Sequence, residues 1–428
     1  MPISASPPFP NFFKKKRPPS LNLTFKNRSS TSSSSSSEKF LPSTPQSTCA
    51  TPKIKAYLSH LNFEEIEDLI TYNPDNLKNG QNGIVKKVSL SVKKEIHKLI
   101  RKQGSFGVEQ ENKMTEAIQN VSVTNFPFEF FALPVAKGWD GTTNILYTSY
   151  QETGDLQAHA DYIYNQYITN PSSVLSYLFQ GFYQLLDAIN ALNSSEFKDE
   201  HGKLHQGIIH NDIKPSNIFL KTNGNFILGD FGCAYFKDEA ACQISTFQFS
   251  APELFINKDF CIKSIDELNT DLWSLGACLW YLLTYQIISP ALPTKPLCDI
   301  DKILFYKDWA ENYFEQWQAL IKNSLNLTGT QLIKEIKNTI DNDLKNLQFN
   351  FNPDSTEQKK KILKQFALIM IAPVSERPNV KELKELMGQF EDYFVICGET
   401  RKFADQLLER KNVQIPINLE LNNNKFSF

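Results

Sequence analysis

The run Ile208-Ile209-His210-Asn211-Asp212-Ile213-Lys214-Pro215-Ser216-Asn217-Ile218-Phe219-Leu220, followed by Gly229-Asp230-Phe231-Gly232, decides how the rest of the chain is read. These two short segments gather carboxylates, an amide and an ammonium. Phosphoryl transfer needs a carboxylate to orient the attacking hydroxyl, metal ions to neutralise developing charge, and ligands to hold those ions. Asp212 suits the first task, and Asp230 with Asn217 the metal-binding one. Lys214 can reach a transferring phosphate. Carboxylate and amide oxygens are hard ligands and suit Mg2+.

His-x-Asp-x-Lys-x-x-Asn followed by Asp-Phe-Gly resembles the catalytic and metal-binding loops of eukaryotic-type protein kinases. The resemblance implies a bilobal α+β fold, with a small β-rich N-lobe and a larger, mainly α-helical C-lobe. It also implies ATP and Mg2+ bound between the lobes. Downstream, Ala251-Pro252-Glu253 resembles the motif that closes the activation segment. Asp271-Leu272-Trp273-Ser274-Leu275-Gly276 resembles the buried helix that anchors the large lobe, and Arg377 sits where the family places a structural partner for Glu253. Lys214 and Thr246 resemble serine/threonine kinases at positions where tyrosine kinases differ, so the implied substrates are proteins. Thr246 would bond near Asp212 and Lys214; the plainer reading is a loop threonine satisfied by backbone.

The amino-terminal half is fainter. Leu77-Lys78-Asn79-Gly80-Gln81-Asn82-Gly83-Ile84-Val85 resembles the glycine-rich loop that covers ATP phosphates with backbone N–H groups, although Lys78 replaces the first glycine. Ile96-His97-Lys98-Leu99-Ile100 fits the strand whose lysine contacts the α- and β-phosphates. Lys98 is the choice, with Lys94 and Lys102 on the same side-chain parity, and Ile96 would tighten the adenine pocket. Glu111 is the expected ion-pair partner, because Met114 and Ile118 then share its helical face; Glu109 and Glu116 are rivals. Thr148-Ser149-Tyr150-Gln151 resembles the hinge. Backbone near Ser149 and Gln151 would bind adenine, with Thr148 bordering the pocket behind it. Asp155 would accept a ribose hydroxyl or merely cap the following helix. The resemblance also counts Leu77, Val85 and Phe219 among the nucleotide-binding residues.

Asn211 stands before Asp212 where many regulated kinases have an arginine that grips an activation-segment phosphate, and the segment from Gly232 to Ala251 is short. Both features imply activity without loop phosphorylation. Ser216 disfavours a strong arginine preference around the target. Cys233 reads as a buried apolar cysteine before a reactive one. Two other readings stay open: a pseudokinase that only binds partners, and a kinase acting on a small molecule.

At 428 residues, with 41% hydrophobic and 12% aromatic content, the chain has length for two lobes and tails. A net charge of −2 gives no case for nucleic acid. No apolar run is long enough to span a bilayer. Seven scattered cysteines without a C-x-x-C pair suggest a reducing, cytoplasmic setting and argue against zinc. Residues 1–52, rich in Pro and Ser, read as disordered. Their Lys14-Lys15-Lys16-Arg17 cluster is a solvated charge run, a nuclear-import signal or part of a transit peptide. Asn-, Lys- and Phe-rich composition also leaves open a protein secreted into a host by an intracellular bacterium.

Residues 53–76 read as a helical extension, with one amphipathic helix over 56–69; 77–150 as the N-lobe; and 151–395 as the C-lobe. Helix is expected over 172–192 and a polar insertion over 193–207. A larger insertion falls near 300–360, with helices over 309–322 and 329–347 and a protein partner or a stabilising role. Residues 396–428 form a carboxy-terminal extension with a frayed tail.

Overall fold

The computed structural model describes residues 50–80, 83–92, 95–239, 246–256, 269–290, 299–329, 331–332, 334–335, 338, 356–394 and 397–410. The basic cluster, Lys94, the Asn-rich tail and most of the helix expected over 329–347 lie outside the described residues.

The amphipathic spacing over 56–69 yields two short helices rather than one, α1 (Ala50–Leu58) and α2 (Phe63–Asp68). The break is a capping box. Asn62 Oδ1 accepts from Glu65 N at 2.9 Å, and Glu65 Oε2 accepts from Asn62 N at 2.8 Å, starting a new helix where periodicity alone suggested continuity. Ile54, Leu58 and Ile66 bury against Val88, Leu90, Leu99, Val135 and Ile145 of an antiparallel sheet. Its strands are β1 (Ile70–Gly80), β2 (Gly83–Val92), β3 (Glu95–Gly104), β4 (Pro134–Trp139) and β5 (Asn144–Ser149), in the order β1-β2-β3-β5-β4. β1 thus begins at Ile70, inside the stretch read as helical extension. Glu67 of α2 accepts from Arg101 Nε at 3.0 Å and from the Tyr72 and Tyr147 hydroxyls. Arg101 therefore belongs to the outer face of the sheet. Strand alternation then turns Lys98, Ile100 and Lys102 toward the other face.

Helix α3 (Phe106–Gln119) follows β3 and buries Met114, Ala117 and Ile118 in the main core, which also holds Phe131 and Phe231. Beyond β5 come α4 (Leu156–Thr169) and α5 (Pro171–Ser194), the latter apolar over most of its surface. The polar stretch 193–207 folds as a small hairpin of β6 (Glu196–Lys198) and β7 (Leu204–Gln206). β8 (Ile208–Ile209) leads into the catalytic loop. β9 (Ile218–Leu220) and β10 (Phe226–Leu228) lead out of it, and β11 (Tyr235–Phe236) returns to pair with β8.

After α6 (Glu253–Ile256), helix α7 (Thr270–Thr284) is buried at every position from Thr270 to Leu283. A helix apolar all round belongs inside a core. It comes close to the helix Thr356–Met370 because position 276 is glycine: a Cβ there would lie 2.4 Å from that of Met370.

The insertion supplies α8 (Asp299–Glu311) and α9 (Tyr313–Leu325), so the helix expected over 309–322 is broken at Asn312. Tyr306 stacks on Phe255 at 5.1 Å, and Trp309 meets Trp273 edge-on at 6.1 Å. These contacts make the described part of the insertion a packed layer of the large lobe. The helix Cys397–Glu409 docks through Phe403, which stacks on Tyr162 at 5.9 Å. The chain adopts the two-lobed α+β architecture expected of it. Among the described residues no helix is long and apolar enough to cross a membrane.

Candidate active site

The catalytic loop is held from beneath by α7. The buried Asp271 carboxylate accepts from His210 N at 2.8 Å and from Asn211 N at 2.9 Å. His210 is fully buried, and its Nε2 faces the Gly229 carbonyl at 3.1 Å while Nδ1 accepts from Asp212 N at 3.3 Å. A carbonyl only accepts, so the imidazole is neutral with its proton on Nε2. Burial pushes its pKa below the ordinary 6.5, against the pull of Asp271 and Asp212. One ring thus fixes both the loop and the approach to Asp230. Asn211 sits at φ 61°, a left-handed conformation that asparagine tolerates.

Asp212 lies in a closed set of bonds. Lys214 Nζ donates to its Oδ2 at 2.8 Å and to Thr246 Oγ1 at 2.7 Å, and Thr246 Oγ1 donates to Asp212 Oδ1 at 2.7 Å. Asn217 Nδ2 donates to Asp212 O and Oδ2, both at 2.9 Å. Because both partners are acceptors, the amide orientation of Asn217 is fixed, which leaves its oxygen as the ligating atom.

Asp230, at φ 65°, turns its carboxylate the other way. Lys102 Nζ lies 3.0 Å from Asp230 Oδ1 and 3.0 and 2.9 Å from the two oxygens of Glu111. Burial would lower the Lys102 pKa, but the Glu111 and Asp230 charges outweigh it and raise it. Burial likewise raises Glu111, opposed by Lys102. Asp230 is lowered, its burial overcome by Lys102. Glu109 is exposed, and Glu116 pairs with Lys137 at 2.6 Å on the surface.

Lys98 is not at this site, which corrects the sequence reading. Its Nζ bonds Glu152 at 2.8 Å at the hinge end of β3, and its side chain is 48% exposed. Lys102 lies four residues further along, about 13 Å at strand rise. Parity was right and register was not. Ile96 is 72% exposed, and Ile100 takes the place two residues before Lys102.

Around the cleft, Gly80 of β1 pairs with Gly83 of β2, and Leu77 is paired with Lys86. Gly83 has φ 142°, and a Cβ there would fall 2.3 Å from the Gln103 carbonyl oxygen, so close strand approach alone demands glycine. At the hinge, Tyr150 N donates to Lys98 O at 3.0 Å and Gln151 Nε2 to Ser149 O at 3.2 Å. Thr148 pairs with Ile100, and its Oγ1 is buried without a partner. Asp155 caps α4, accepting from Ala158 N at 2.9 Å, and its backbone bridges to the half-buried Phe219.

The family model described as the protein kinase domain matches residues 201–385. Over 106 residues the chain is 41% identical to serine/threonine-protein kinase ppk34 of Schizosaccharomyces pombe, covering 24% of this chain and 26% of that protein. Over 122 residues it is 34% identical to serine/threonine-protein kinase CHK1 of Saccharomyces cerevisiae, covering 27% and 20%. Over 156 residues it is 30% identical to serine/threonine-protein kinase Nek6 of rice, covering 35% and 24%. The matches thus span about a quarter of the length of these relatives. Residues 201–385 thus carry a protein kinase domain, and it is this part of the chain that belongs to the eukaryotic-type protein kinase superfamily.

Within this kinase the fit to Mg2+ and a nucleotide can be judged from the donors. Asp230 offers a carboxylate 35% exposed at its side chain, and Asn217 an amide oxygen. One carboxylate and one amide form the sparse protein set that suits Mg2+ when phosphates and water complete the shell. The orphaned Thr148 hydroxyl on the cleft side of the hinge is a polar atom that a bound base would satisfy.

The kinase residues hardest to find in the sequence were Lys102 and His210. The register of β2 against β3 places Lys102 opposite Val85, but Lys93-Lys94 in the sequence between the two strands carries no turn residue to announce it. His210 gave no signal beyond its place in the motif.

Proposed function

We propose that this kinase transfers the γ-phosphoryl group of Mg-ATP to serine or threonine hydroxyls of proteins. The observation that carries the reading is the bonding of Lys102 to both Glu111 and Asp230, beside the bonds joining Asp212, Lys214 and Thr246. A partly buried lysine shared by two carboxylates is a preorganised clamp for phosphate, costing little reorganisation as charge develops. Asp230 and the Asn217 oxygen would hold Mg2+, which when bound neutralises charge on the phosphates. Asp212 orients the incoming hydroxyl and takes its proton as the new oxygen–phosphorus bond forms. The bond to the bridging oxygen breaks with its electron pair leaving on ADP. Lys214 steadies the moving phosphoryl group. Thr246 keeps Asp212 and Lys214 in register and forms part of the shelf on which the polypeptide lies. The packing of α8 and α9 into the large lobe supports a stabilising role for the insertion.

Incubating the full chain with labelled ATP, Mg2+ and a mixture of proteins tests the reading. Label recovered as phosphoserine or phosphothreonine, and lost in Asp230→Ala, supports it. Label confined to phosphotyrosine or to small molecules, or no label at all, contradicts it.

A further inference from the structure

The hairpin ahead of the catalytic loop carries a buried imidazole that the mechanism does not use. His205 is 1% exposed. Its Nδ1 lies 2.7 Å from Asp238 Oδ1 and its Nε2 3.2 Å from Asp199 Oδ2. Asp199 is fixed within the β6–β7 turn by His201 N and Lys203 N, at 2.9 and 2.8 Å. Asp238 belongs to the activation segment, two residues past the end of β11. The imidazole also stacks on Phe236, with centroids 3.9 Å apart and planes 10° apart. Phe236 in turn pairs with Ile208 of β8, the strand that runs into Asp212.

An ionised carboxylate only accepts hydrogen bonds, so each ring nitrogen faces an acceptor. Both carboxylates are held below their ordinary range, the desolvation that would raise them being outweighed by the bonds to His205 and nearby backbone. The surrounding charges leave this arrangement intact. Lys203 Nζ of the hairpin lies 3.5 Å from Asp238 Oδ2, and Lys237 Nζ donates to Asn193 O at 2.9 Å. Lys113 of α3 lies 5.2 Å from the Phe236 centroid and 3.2 Å from Glu239. Asn211 is uncharged, so the catalytic loop supplies no cation at that position; Asp238 finds one on the hairpin in Lys203.

We propose that His205, bridging Asp199 and Asp238, is a positioning residue for phosphoryl transfer that pins the start of the activation segment to the strand feeding the catalytic loop. The inference rests on the kinase reading above. Its structural half can be measured without it.

The test compares the full-length wild type with His205→Phe, Asp238→Ala and the double variant. His205→Phe keeps a ring against Phe236 and removes both ring nitrogens. Each single variant is expected to lower kcat for protein phosphorylation about tenfold, while affinity for a fluorescent ATP analogue changes less than about twofold. The double variant should be no worse than the poorer single one, because both substitutions remove one interaction. Amide exchange at residues 235–239 should quicken in every variant. Unchanged exchange there, or losses that multiply in the double variant, overturns the proposal. If the wild type transferred no phosphate, the kinase reading would fail while exchange still decided the clamp. If His205→Phe did not fold, Asp238→Ala, at an exposed position, would carry both measurements alone.

Discussion

Val85 in β2 stands directly opposite Lys102 in β3. This pairing sets the lysine under β2, within reach of Glu111 and Asp230. Lys98 is paired instead with Ser89, beside the hinge.

The two lysines should therefore separate in activity. Lys102→Met is expected to lower initial rates of phosphoryl transfer by about 10²–10³-fold, the scale of losing one preorganised electrostatic contact. Lys98→Met, which breaks an exposed ion pair, should stay within about threefold of wild type. Equal losses in both variants would contradict the register.

What the sequence revealed followed how local each signal was. Asp212, Lys214, Asn217 and Asp230 lie in one loop system whose spacing is set by short chain segments, so their proximity could be read directly. Glu111 was legible because helical periodicity ties it to Met114 and Ile118. Lys102 depended on where two ten-residue strands turn, and its neighbours gave no turn residue to fix that point. The split between α1 and α2 was written in Asn62 and Glu65, but the apolar periodicity running across it hid the cap. The burial of His205 depends on Asp238 and Phe236, more than thirty residues away in sequence, and no local pattern reports such a partner.

Glu253 and Arg377 form a buried bidentate pair, with Nη1 to Oε1 at 2.6 Å and Nη2 to Oε2 at 3.2 Å. Arg377 also donates to Ala372 O at 2.9 Å and Asn269 O at 3.2 Å, joining the end of the activation segment to α7. Removing one partner leaves a buried charge uncompensated, so Glu253→Ala should cost about 3–5 kcal/mol of stability. Denaturant unfolding reads this, and a loss below about 1 kcal/mol would show the pair to be dispensable.

The neutral, buried His210 predicts a specific pH dependence. Its folded pKa lies below the 6.5 of the unfolded chain. As pH falls through 6.5 the unfolded state takes up a proton that the folded state refuses, so stability is present above that pH and lost below it. Between about pH 7.5 and about pH 5.5 the wild-type melting temperature should fall more than that of His210→Gln. Parallel slopes would contradict the assignment.

Asn211 brings no charge to the activation segment, while Asp238 and Glu239 already have cations in Lys203 and Lys113. Activity should survive dephosphorylation. Phosphatase-treated protein is expected to retain its initial rate within about twofold, since no phosphate–arginine contact is lost. Abolished activity would require a phosphate-binding site elsewhere.

The most direct measurement is single-turnover transfer to a protein substrate by wild type and Asp212→Asn, with ATP affinity measured alongside. If Asp212 orients the hydroxyl, transfer should fall by at least about 10³-fold while ATP affinity stays within about threefold. Transfer at the wild-type rate by Asp212→Asn would contradict the account.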